Sequence, residues 1–87
     1  MAQVHADPDK LRQFAAELRR AGSDLEGQAS SLLKRLGNID WDDSERRQFE
    51  QDISTVTKAI AQFSRRLRDE YAPRLERKAR ALDEFRR

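Results

Sequence analysis

Eighty-seven residues with no cysteine and one histidine, His5, make one small domain at most. They exclude a disulfide framework and a thiolate metal site, and a zinc site would need carboxylates or a second chain. Hydrophobic residues are 37% and charged residues 39%, so two helices sharing one seam would enclose little core, and association with another chain is the default expectation. The formal net charge is only +2, which by itself calls for no polyanionic partner.

No run approaches the roughly 20 apolar residues of a membrane span. Met1 to Asp7 has no basic start followed by an apolar core, so a secretory signal peptide is not expected.

The first element opens at Asp7-Pro8-Asp9. Asp7 can cap free amides, and Pro8 suits the first helical position, where a missing N–H costs nothing. Apolar positions then follow at helical spacing, with Leu11, Leu18, Leu25 and Leu32 recurring every seventh residue and Phe14 beside them. Ala15, Gly22 and Ala29 also recur at seven and permit close helix approach on that edge. Gly22 and Gly27 each weaken the helix by about 1 kcal/mol relative to alanine, so packing must hold it. Gly37-Asn38 is the stop, giving a first helix over about 8–36 and a turn over 37–42.

Trp41, the single tryptophan, sits in that turn, where residues are otherwise small or polar. It can plug the bundle end, form part of a docking surface, or do both. Asp42, Asp43 and Ser44 offer caps for a second helix over about 43–72. Phe49, Ile53, Val56, Ile60, Phe63 and Leu67 follow at alternating spacings of four and three, the period of a coiled coil. These stripes are read as core. A strand would need alternation at two, which is absent.

Pro73 removes one ladder bond and clashes with the carbonyl four residues back, so a kink or short break is expected near Tyr71. A first helix of about 29 residues is roughly 43 Å long. An equal length counted from Asp43 ends near Tyr71, so a C-terminal arm over about 74–87 is expected to overhang the hairpin. Its stripe of Leu75, Ala79, Leu82 and Phe85 then suggests contact with another chain. This end is basic, whereas the bend carries Asp40, Asp42, Asp43 and Glu45. Opposed charges would favour a head-to-tail pairing of two hairpins.

The arginine pairs Arg19-Arg20, Arg46-Arg47, Arg65-Arg66 and Arg86-Arg87 are mostly interleaved with acids and read as solvated faces. No phosphate loop, metal-ligand spacing or nucleophile–base set is present, so no enzymatic activity and no cofactor are expected.

Taken together, the Asp7-Pro8-Asp9-Lys10-Leu11 opening, the leucine heptads, Trp41 at the bend, and Phe49-Glu50 eight and nine residues later resemble the WXG (Trp-X-Gly) family of type VII secretion. The resemblance covers nearly the whole chain. It implies an all-α fold, an antiparallel helix-turn-helix hairpin that dimerises into a four-helix bundle. It implies a non-enzymatic protein acting by protein–protein interaction, as a secreted substrate, effector or chaperone-like partner.

The residues assigned to the dimer interface are Leu11, Phe14, Leu18, Leu25, Leu32, Phe49, Ile53, Val56, Ile60, Phe63 and Leu67. Trp41, Asp42 and Asp43 form the turn motif. Tyr71, Leu75, Leu82 and Phe85 form the partner-docking arm. The implied partner is a second copy or a same-family hairpin, with a secretion ATPase or a large secreted toxin beyond it. The implied location is cytoplasmic before export by a route independent of a signal peptide.

Two positions depart from the family pattern. Asp43 stands where the family has glycine, and the family's C-terminal Tyr-X-X-X-Asp/Glu signal is missing, because Tyr71 is followed four residues later by Leu75. Two alternative readings are a nucleic-acid-associated helical dimer using the basic C-terminal arm and a structural coiled-coil adaptor.

Overall fold

A computed structural model describes residues 6–85. Helix α1 runs Pro8–Gly37 and α2 runs Ser44–Arg66; a π-helical turn, Leu67–Tyr71, then leads directly into α3, Ala72–Phe85. Among the described residues there is no strand. The molecule is a rod of 65 × 21 × 15 Å with a radius of gyration of 19.5 Å, against about 12 Å for a compact domain of this length.

The helix ends follow their sequence signals. The Asp7 carboxylate accepts from the Asp9 amide at 2.9 Å, and Pro8 opens the first turn. Asp43 caps α2 in an extended conformation and accepts from the Arg46 amide at 3.0 Å. Gly37 closes α1 with no positive φ; the chain leaves through Asn38, which is still near-helical. Asp43 therefore supplies the cap of α2.

The core differs from the expected one. The stripes of large residues do not close the hairpin. The buried positions are instead Pro8, Ala15, Gly22, Ala29 and Leu36 on α1, and Thr57, Ser64, Ala72 and Ala79 on the return. Ala15, Ala72 and Ala79 are fully buried. Small side chains let the two backbones come close: a Cβ on Gly22 would lie 2.8 Å from the Ser64 carbonyl oxygen. The hydroxyls of Thr57 and Ser64 donate to the carbonyls of Ser54 and Ile60, which satisfies them without a cross-helix partner.

The return helix also departs from the expectation of an overhanging arm. Arg19 and Glu76 form a bidentate pair at 2.7 Å, and Arg12 pairs with Asp83. Residues from Ala72 to Asp83 therefore pack along α1. The equal-length count fails because the first turns of α2 lie beside the turn segment, where Arg46 reaches back to the Leu36 carbonyl. Only the extreme end protrudes, with Phe85 92% exposed.

The expected break at Pro73 takes the form of the π turn, in which the Ala72 amide donates to the Leu67 carbonyl. Its effect is on register. The buried positions on the return step by seven from Thr57 to Ser64 and from Ala72 to Ala79, but by eight from Ser64 to Ala72. One wide turn absorbs the extra residue and keeps Ala72 and Ala79 facing α1.

Candidate interaction surface

Three registers follow from the buried seam. Residues three places after each seam position lie on one flank: Leu11, Leu18, Leu25 and Leu32 on α1, with Ile60, Leu67, Leu75 and Leu82 on the return. Residues four places after lie on the opposite flank. There Arg12–Asp83, Arg19–Glu76 and Arg68–Glu26 form three successive rungs of ion pairs. The Arg19 hydrogen bonds, ahead of the opposing cost of desolvation, hold the Glu76 carboxyl below its ordinary value. The antiparallel rungs fix how the helices are aligned, although each exposed pair stabilises by only about 0–1 kcal/mol.

The leucine flank has no such closure. Leu11, Leu18, Leu25, Ile53, Ile60, Leu67, Tyr71, Leu75 and Leu82 are only half-buried. Phe14 is 52%, Leu32 53%, Phe49 44%, Val56 53% and Phe63 53% exposed. A shallow depression of about 450 Å³ between Phe14, Leu18, Tyr71, Arg74 and Leu75 is part of the same face. The residues read from the sequence as interface and as docking arm are thus brought together on one surface, except Phe85, which stands off the end.

The accessible surface of the chain is 7153 Å². A compact monomer of this mass would expose about 5300 Å².

The hairpin tip is organised by Arg46, a residue that sequence reading placed on a solvated face. Its guanidinium donates to the carbonyls of Leu36, Ile39 and Trp41 at 3.1, 3.1 and 2.7 Å, and to Glu50 at 3.0 Å. It thereby places a cation against carbonyls at the end of α1 and in the turn, two of which also accept a backbone amide, and ties them to α2. The available signal was a cation in the first turn of α2, directly after the bend. Trp41 is half-buried and packs on Phe49, with ring centroids 5.7 Å apart and a tilt of 48°. Asp42 is exposed, whereas Asp43 is engaged as the cap.

Among the described residues no group of three or more His, Cys, Asp or Glu could hold a metal ion. No described helix is long and apolar enough to cross a membrane. Comparison with models of protein families, with curated proteins and with solved structures finds no match to this chain.

Proposed function

We propose that the chain is a type VII secretion-associated hairpin of the WXG kind, acting by protein–protein contact. Its apolar face joins a second hairpin, a copy of itself or a same-family partner, in a four-helix bundle. The carrying observation is the continuous leucine–phenylalanine face opposite a flank already closed by ion pairs. A second apolar helix pair offers matching length and spacing for such a face.

In the head-to-tail arrangement the acidic bend of one hairpin passes the basic end of the other, which favours that orientation over the parallel one. No catalysis is assigned. The chain serves as a secreted substrate, an effector or a chaperone-like partner. With no Tyr-X-X-X-Asp/Glu signal of its own, its export would depend on the partner.

The test is export in the native host. A tagged chain should reach the culture filtrate only when the membrane-bound secretion ATPase is intact, and Ile60→Asp should block that export by preventing pairing. Filtrate levels indifferent to the ATPase would contradict the secretion role. Tight binding to duplex DNA with a steep salt slope would favour the nucleic-acid reading instead.

A further inference from the structure

The ladder of ion pairs changes character at its fourth rung. The pattern that places Arg12, Arg19 and Glu26 opposite Asp83, Glu76 and Arg68 next places Leu33 opposite Ala61. A large and a small apolar residue replace a charged pair on a face that is otherwise polar. Leu33 is 41% exposed. Beneath it lies a groove of about 320 Å³ lined by Ala29, Leu33, Thr57 and Ala61, with Glu26 and Lys58 at its edge.

Glu26 is neutralised by Arg68 at 2.8 Å. Lys58 and Arg65 each directly follow a seam residue and so share this flank. Neither has an ion-pair partner among the described residues. The groove is therefore mainly apolar in its floor, with Lys58 without an ion-pair partner at its rim and Arg65 two turns further along the same flank.

The complementary shape occurs at the tip of the same molecule. Ile39 is 52% exposed and is flanked by exposed Asp40 and, two places further, by Asp42. Its backbone is held on both sides: the amide donates to the Leu36 carbonyl at 3.2 Å, and the carbonyl accepts from Trp41 at 2.9 Å and from Arg46 at 3.1 Å. A fixed apolar knob followed by two exposed carboxylates costs little to order on binding.

We propose that the groove at Leu33 and Ala61 receives the Ile39–Asp42 tip of another copy of this chain. Ile39 enters the apolar floor, and Asp40 and Asp42 face Lys58 and Arg65. The contact is heterologous, knob on one copy and groove on the next, so each added copy presents a further tip and groove until a ring closes or the chain stays open. It uses the flank opposite the leucine face and does not depend on the bundle reading.

Sedimentation of the purified chain at low salt, from micromolar to near-millimolar concentration, tests the contact. The weight-average mass should rise about twofold or more above its low-concentration value, and the rise should fade at high salt. Ile39→Ser and Leu33→Asp alter exposed positions, so helicity by circular dichroism should be unchanged, while each variant alone should no longer associate further.

Mixing the two variants should restore association, because one retains the groove and the other the tip. Phe63→Asp, on the leucine face, should lower the starting mass but leave the concentration-dependent rise intact, which separates this contact from bundle formation. No rise in the unaltered chain, a rise that survives in either single variant, or no restoration on mixing would overturn the proposal.

Discussion

The seam and the leucine flank of the hairpin are built from the same heptads but treat size in opposite ways. At the seam the residues are Ala15, Gly22, Ala29, Thr57, Ser64, Ala72 and Ala79, all buried. Three places on, they are Leu18, Leu25, Leu32, Ile60, Leu67, Leu75 and Leu82, and none is fully covered. Small residues close the chain on itself through backbone proximity. Large residues carry most of the transferable apolar area, at about 25 cal/mol per Å², and they are turned outward. A monomer seeking its own stability would reverse this allocation. On the bundle proposal, that outward apolar area is what a second chain would cover.

The strongest way to break this comparison is a charge on the leucine flank. Leu18→Asp or Ile60→Asp should weaken pairing at least about a hundredfold, or about 2.7 kcal/mol, because a carboxylate would be buried without a partner. Calorimetric titration or equilibrium sedimentation measures the loss.

The two interior glycines sharpen the contrast. Alanine at Gly22 would gain about 1 kcal/mol of helix propensity, but its Cβ meets the Ser64 backbone at 2.8 Å. Overpacking of that kind costs about 1–3 kcal/mol, so Gly22→Ala should lower the denaturation midpoint. A Cβ added at Gly27 would meet nothing within 4 Å, and Gly27→Ala should raise stability by about 1 kcal/mol.

The π turn offers a subtler test of the seam. If the eight-residue step from Ser64 to Ala72 sets it, Pro73→Ala alone should leave the wide turn in place. Deleting Asp69 in the Pro73→Ala background restores steps of seven throughout. Backbone chemical shifts should then report a regular helix, with pairing retained within about threefold, under 1 kcal/mol. Loss of pairing would show that the wide turn does more than keep register.

The smallest effect belongs to the ladder. Glu76 titrates below its ordinary value of 4.5 because of Arg19. Its contribution is therefore complete above that ordinary value and is lost as pH falls through the lower, folded-state value. Glu76→Gln should make stability less sensitive to acidification in that acid window while changing little at neutral pH. Thermal melts across the window give the comparison.

The helices, their caps and the apolar registers were legible because capping chemistry and heptad spacing are local signals. Asp7, Pro8 and Asp43 stand in the roles their positions predicted. Which stripe closes the hairpin was not legible. Leu18 and Ala15 are equally periodic, and only the approach distance of two backbones decides between them. The small-residue edge at Ala15, Gly22 and Ala29 was visible in the sequence, but not that this edge, and not the leucine stripe, closes the hairpin.

The fate of the C-terminal stretch was hidden for a related reason. A length count assumes that both helices start level at the bend, and the Arg46 clasp sets α2 alongside the turn. Arg46 itself was missed because its acceptors are backbone carbonyls, which sequence does not distinguish from any others.

The central claim, that the leucine face is made for a second chain, is tested most directly by the mass of the purified chain in solution. Sedimentation equilibrium at micromolar concentration and moderate salt, together with a denaturant melt, is the measurement. Cooperative unfolding should accompany an assembly of two chains, either with itself or on addition of its same-family partner, and Ile60→Asp should abolish the assembly. A cooperatively folded monomer that pairs with neither, its leucine face open to water, would contradict the claim.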